Sequence, residues 1–253
     1  NNFFIKEKIK LFCNNHKIHF IDDLSLLKKI KFDITVAAIS GIAGLVPTIN
    51  IIKFSKKILI ANKESIICGW RFILKELKKY HCRFTPIDSE HFSILKLTEN
   101  KNINSIKYIY LTASGGPFFR KKVNLNKVTP LQAVRHPNWK MGKKISIDSA
   151  NLMNKVLEVI EASLIFNLPI DKFKIIIHPQ SLIHAIIEFK NGLTYFLYHE
   201  TSMTVPISNA IFDSNIEIKK YLKKNKFNFE KNIKNMTFRK VDSKLFPSIN
   251  LIK

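Results

Sequence analysis

The chain has 253 residues, 46% of them hydrophobic, and a formal net charge of +23. That length supports a large buried core and as many as two domains, while no apolar run is long enough to span a bilayer. The charge invites a polyanionic partner, yet only five of the 42 basic residues are Arg, the side chain suited to bidentate phosphate and guanine contacts. Nucleic-acid binding is therefore discounted, and the lysines read as the solvated surface of a protein from an AT-rich genome. Three cysteines without paired spacing fit a reducing compartment. The N-terminus has no Met and no basic region followed by an apolar core, so no secretory leader is expected.

In chain order, residues 32–39 read as a buried strand, and Gly41-x-x-Gly44 as a tight turn with too few glycines for a dinucleotide fingerprint. Residues 45–52 are helical, 57–61 a short strand, 65–79 a helix and 83–87 a strand. Alternation of this kind predicts a parallel sheet with helices on its faces, and such sheets bind ligands at the carboxyl ends of their strands. Asn62-Lys63-Glu64, Asp88-Ser89-Glu90 and Thr112-Ala113-Ser114-Gly115-Gly116 all fall at such ends. Residues 106–111, 173–178, 182–189 and 193–198 are predicted strands, the last two joined by a hairpin at Asn191-Gly192. The second half thus carries a mixed or antiparallel sheet. The Lys- and Asn-rich stretch 216–240 reads as a solvated connector.

The densest stretch runs from His136 to Glu158. A loop rich in polar residues, with Trp139 and a possible hinge at Gly142, has the composition of an active-site lid. A helix follows, with Asp148 or Ser149 expected as its N-cap and Leu152, Met153, Val156, Leu157, Val159 and Ile160 as its apolar face. Asn154, Glu158 and Glu161 share one narrow sector of that helix, with Asn151 beside it. A polar stripe is ordinarily a solvated outer face; the loop before it, ending at a helix N-terminus that favours anions, weakens that reading. Asp88 and Glu90, two apart in extended backbone, share a face. With Glu158 they make an oxygen-rich set suited to Mg²⁺ or Mn²⁺. Lys63 is placed to neutralise a phosphate or oxyanion, Asn154 and Lys155 to contact hydroxyls, and Ser114 with its glycines and Ser149 to donate to phosphate.

Several motifs occur together and in order: Ala61-Asn-Lys-Glu-Ser65, Pro86-Ile-Asp-Ser-Glu-His91, Ser114-Gly-Gly-Pro-Phe118, the loop from His136 to Ser146, Asp148-Ser-Ala150, Met153-Asn-Lys-x-Leu-Glu158 and His178-Pro-Gln-Ser-x-x-His184. The set resembles the 1-deoxy-D-xylulose 5-phosphate reductoisomerase family over essentially the whole chain. The resemblance implies an incomplete Rossmann-like NADPH-binding domain over residues 1–87, an α+β catalytic domain over 88–215 and, over 216–253, a connector toward a helical C-terminal domain. It implies an NADPH-dependent oxidoreductase with an isomerase step, in which a metal-assisted skeletal rearrangement gives an aldehyde that NADPH reduces to 2-C-methyl-D-erythritol 4-phosphate. Asp88, Glu90 and Glu158 are then ligands of a divalent cation (Mg²⁺, Mn²⁺ or Co²⁺). Lys63, Glu90, His136 and Glu158 are the implied catalytic residues. Ser89, Ser114, Trp139, Ser149, Asn154 and Lys155 join them as substrate contacts, with Trp139 covering the site. Asn62, Glu64 and Gly142 match contacts to NADPH.

The family reading further implies a homodimer with a sugar-phosphate substrate, in a bacterial cytoplasm or, alternatively, a plastid-like organelle, and without membrane or nucleic-acid partners. The family's glycine-rich phosphate turn is expected to precede Asn1. Val156 stands where the family usually has glycine, and His199-Glu-Thr-Ser-Met-Thr-Val-Pro206 departs from a Pro-Asp-Met-Arg-like segment. These departures leave an alternative, a remnant that binds metal and sugar phosphate without turnover. A basic nucleic-acid-binding protein is a remote third reading.

Overall fold

The computed structural model describes residue 27 and residues 30–119, 127–135, 142–213, 215–218 and 233–252. The first half is a three-stranded parallel sheet of β1 (Phe32–Ala37), β2 (Ser55–Ile60) and β3 (Arg83–Pro86), in that order. Ile58, Leu59 and Ile60 of β2 are all fully buried, the pattern of a central parallel strand covered on both faces. Helices α1 (Leu45–Ile52) and α2 (Lys63–Tyr80) pack on this sheet. Helix α2 starts two residues before the apolar pattern because Asn62 caps it, accepting from the Ser65 N–H at 2.5 Å. It ends at His81, which adopts the left-handed conformation (φ 52°).

The second sheet is mixed, in the order β7-β6-β4-β5-β8. Strands β4 (Ile106–Ala113) and β5 (Phe173–Ile177) are parallel, while β6 (Ile183–Phe189), β7 (Thr194–Tyr198) and β8 (Arg239–Lys240) pair antiparallel to their neighbours. The β6–β7 hairpin turns at Gly192 (φ 87°), as the Asn-Gly pair predicts. Between β4 and β5 the chain forms α4 (Pro130–Ala133), α5 (Lys143–Ala150) and α6 (Met153–Phe166); α3 (Ser89–Thr98) precedes β4 and α7 (Thr204–Phe212) follows β7. Val159 and Ala162 of α6 pack with Ile109, Leu111, Ala185 and Ile187 in the core of this half. No helix among the described residues is long and apolar enough to cross a membrane.

Three expectations need correction. Asp88-Ser89-Glu90 is not extended: Asp88 is the N-cap of α3, and Ser89 and Glu90 lie in its first turn. The loop-to-helix stretch holds two helices instead of one, so Ser149 is near the C-terminal end of α5 and not at a helix N-terminus. Leu152, in left-handed geometry at φ 61°, breaks the path and precedes α6. The expected connector is also more than solvated chain, because Arg239–Lys240 pairs with β5 and adds the last strand of the sheet. Beyond it Phe246, 1% exposed, joins a core cluster with Leu152 and Ile177.

Candidate active site

A cavity of about 320 Å³ opens where the strands of both sheets end. Nine predicted site residues line it: Lys63, Asp88, Ser89, Glu90, Ser114, Ser149, Asn154, Lys155 and Glu158. Five of them are delivered by chain reversals after strands and four by helices α5 and α6. Lys63 opens α2 after β2, and Asp88 to Glu90 open α3 after β3. Ser114 follows β4 in a turn where Gly115 and Gly116 both have positive φ. Asn154, Lys155 and Glu158 project from α6, whose polar stripe is half-buried at Asn154 and buried at Glu158, 2% exposed, and Glu161, 1% exposed, with Lys155 beside it at 5%. The solvated-face reading of that stripe is overturned.

Charges in the cavity alternate closely. The Lys63 Nζ lies 3.2 Å from Asp88 Oδ2 and 3.0 Å from Glu158 Oε1, and donates to Asn154 Oδ1 at 2.8 Å. The Lys155 Nζ lies 2.7 Å from Glu90 Oε1 and 2.6 Å from Glu158 Oε2. Ser89 Oγ donates to Glu90 Oε2 at 2.5 Å, and Asn154 Nδ2 donates to Glu158 Oε1. Burial works to lower the pKa of Lys63, but the carboxylates of Asp88, Glu158 and Glu161 outweigh it and hold the ammonium well above its ordinary value. Burial likewise works to raise Asp88, and the Lys63 charge overrides it, keeping that carboxyl well below the usual range. Glu90 goes the other way, because burial and then the Glu158 carboxylate push it up to about 8.

Asp88, Glu90 and Glu158 each offer an oxygen within 4.8 Å of the others. Three hard carboxylate donors from two elements suit Mg²⁺ or Mn²⁺, so the residues fit a divalent cation. Sequence reasoning missed the side chains behind them. His91, fully buried, donates from Nε2 to the Glu158 carbonyl at 2.9 Å and turns Nδ1 to 3.6 Å from both Asp88 Oδ1 and Glu161 Oε2. Ser181 and His184 complete the wall below β4 and β6. His91, Ser181 and His184 stand in the motifs quoted above, yet residue type alone gave them no role, since only the fold brings them to this site.

The three expected cofactor contacts lie outside the lining. Asn62, 4% exposed, is committed to structure: besides capping α2 it donates to the Ile39 carbonyl and, at 2.8 Å, to the Gly41 carbonyl. It thereby clasps the turn after β1, whose Ala38 and Ser40 line the cavity. Glu64 reaches Lys144 of α5 at 2.9 Å, and Gly142 is the N-cap of that same helix. His136 and Trp139 lie outside the described residues.

Comparison with known proteins matches this layout. A 1-deoxy-D-xylulose 5-phosphate reductoisomerase family model matches residues 10–69, and the model of that enzyme's C-terminal domain matches residues 84–166. The Pelagibacter ubique reductoisomerase is 47% identical over 260 residues, an alignment that covers 100% of this chain and 65% of that protein. The chain belongs to the 1-deoxy-D-xylulose 5-phosphate reductoisomerase family. The reductoisomerase of Clostridium novyi is 39% identical over 98% of the chain and 65% of its own length. The chain thus spans about 65% of the length of these reductoisomerase relatives. A solved reductoisomerase in complex with NADPH, fosmidomycin and magnesium superposes with a TM-score of 0.81 at 31% identity, covering 97% of this chain and 64% of that one. The Zymomonas mobilis reductoisomerase in complex with NADPH gives a TM-score of 0.75 at 36% identity over 87% of this chain and 56% of that one.

Proposed function

We propose that this chain takes part in the NADPH-dependent rearrangement and reduction of 1-deoxy-D-xylulose 5-phosphate to 2-C-methyl-D-erythritol 4-phosphate. One observation carries the reading: three carboxylates, two lysines and an asparagine from both sheets meet in one buried cavity. A divalent cation held by Asp88, Glu90 and Glu158 would polarise the substrate's carbonyl and neighbouring hydroxyl oxygens. Lys63 lies between Asp88 and Glu158 and Lys155 between Glu90 and Glu158, which holds the three carboxyl groups close together, and the two ammoniums are set to orient hydroxyl and oxyanion oxygens. Ser89 and Asn154 offer further donors to hydroxyls. Ser114 and Ser149 line the same cavity and suit a phosphate. His136 and Trp139, by resemblance, add a phosphate contact and a cover.

NADPH would enter from the β1–α1 side, where Asn62 shapes the wall and Glu64 and Gly142 flank α5. The relatives solved with NADPH and with magnesium support both cofactors. We also infer a homodimer: β7 is an edge strand with Tyr195 and Phe196 exposed, an edge that proteins ordinarily cover. The bacterial relatives support a bacterial cytoplasm.

The test is NADPH oxidation with 1-deoxy-D-xylulose 5-phosphate and Mg²⁺, comparing the chain with Glu158→Gln, alongside Mn²⁺-dependent fosmidomycin binding. Turnover that falls at least about 100-fold in the variant is expected for loss of a metal ligand. Equal rates would sink the metal assignment, and metal-dependent binding without turnover would reject the catalytic part alone.

A further inference from the structure

His184, on β6 and 2% exposed, lines the cavity and brings Nδ1 to 4.0 Å from Glu90 Oε1. Behind it stands His199, one residue past the end of β7 and the first residue of the segment that departs from the family pattern. The two imidazoles stack, with centroids 4.0 Å apart and planes inclined by 17°. His199 is itself fixed: its N–H donates to the Leu182 carbonyl at 3.0 Å, and its Nδ1 donates to the Glu200 carbonyl at 2.7 Å. Only 6% of it is exposed, and none of the roles derived above uses it.

The last torsion of a histidine side chain is intrinsically broad, so packing decides where its nitrogens point. A flat ring against one face of His184 leaves that ring one plane to occupy. We propose that His199 is a positioning residue of this site. Its ring holds the His184 imidazole in the orientation that turns Nδ1 toward Glu90 and presents the ring to a sugar-phosphate ligand. The ligand named here rests on the functional reading above; the geometry does not.

Two variants separate the ring from its volume. His199→Phe keeps a flat ring and loses the Nδ1 donor, whereas His199→Leu fills similar space with no flat face. Spectra of ring-labelled histidine, with His184 assigned through His184→Gln, are read beside fosmidomycin affinity in Mn²⁺. The Phe variant should keep one sharp set of His184 ring signals and near-native affinity. The Leu variant should broaden or double those signals and weaken binding about tenfold. Should His199→Leu not fold, His199→Gln replaces it with the same expected outcome. Sharp signals with unchanged affinity in the ringless variant would overturn the proposal, as would a Phe variant as impaired as the Leu one. A wild-type chain that binds no fosmidomycin would overturn the functional reading instead and leave the histidine spectra to decide the positioning role.

Discussion

At the scale of single residues, Glu90 is the most consequential side chain in the cavity. Burial, and after it the Glu158 carboxylate, raise its pKa to about 8, against the partial relief given by Lys155. A raised carboxyl holds its proton at neutral pH, and a divalent cation has to displace that proton before it binds. Mg²⁺ affinity should therefore climb by up to about tenfold per pH unit below about pH 8, with about one proton released per ion, and level off above it. Isothermal titration in two buffers of different ionisation enthalpy measures both quantities; an affinity independent of pH would refute the shared site. Glu90, Asp88 and Lys63 were legible in the sequence because residue type and position at strand ends carry the chemistry, and Lys155 because it stands beside the polar stripe of a helix. His91, Glu161 and His184 were not assigned roles. Glu161 showed only as part of a polar stripe and the two histidines only as members of motifs, because their contribution comes from being packed behind those residues, which spacing along the chain does not reveal.

At the scale of elements, the strand–turn–helix alternation, the α1 boundaries and the β6–β7 hairpin follow directly from apolar periodicity and turn chemistry. The errors cluster where a polar residue has two possible uses. Asp88 reads as a strand carboxylate when only alternation is counted, yet it satisfies an N–H at the start of α3. Ser149 reads as a cap, yet the chain breaks later, at Leu152, where a buried apolar side chain compensates a left-handed backbone. That break lets α5 end against the Ser114-Gly-Gly turn. A Cβ on Gly116 would lie 2.8 Å from the Ser149 carbonyl oxygen and 3.0 Å from Ala150 Cα, both backbone atoms, at φ +66°. Gly116→Ala should therefore combine conformational strain with overpacking and cost about 2–4 kcal/mol. Gly192→Ala has equally unfavourable φ but open space around it, so it should cost only the strain, about 1–2 kcal/mol. Urea denaturation of the pair checks this, and equal losses would show that α5 yields freely at the site.

At the scale of the whole molecule, the two halves meet through α2 against α6 and through α7, where buried Lys57 donates to the Ala210 carbonyl at 2.6 Å and pairs with Asp213 at 2.7 Å. The last described segment returns to the mixed sheet and is clasped beside β5. His178 Nδ1 donates to the Thr237 carbonyl at 3.0 Å, the His178 ring stacks on Phe238 at 4.6 Å, and Gln180 Nε2 donates to the Asn235 carbonyl at 2.6 Å. Burial lowers the pKa of His178, only partly countered by that backbone hydrogen bond. The sign follows: the unfolded chain takes up this proton near pH 6.5 while the folded one still refuses it, so the stability contributed by neutral His178 is present above about pH 6.5 and is lost as pH falls toward the lower folded value. Other buried groups titrate in the same range, Glu161 with a pKa raised to about 7 and Glu90 to about 8, and both gain stability on acidification. The wild-type curve therefore mixes opposing slopes, and a difference measurement isolates the clasp. His178→Phe keeps an aromatic ring against Phe238 and cannot take up a proton. The stability of wild type minus that of the variant should fall on going from about pH 7.5 to about pH 5, by no more than about 1.4 kcal/mol per pH unit. A pH-independent difference would mean that His178 titrates alike in both states and that protonation leaves the β8 clasp intact.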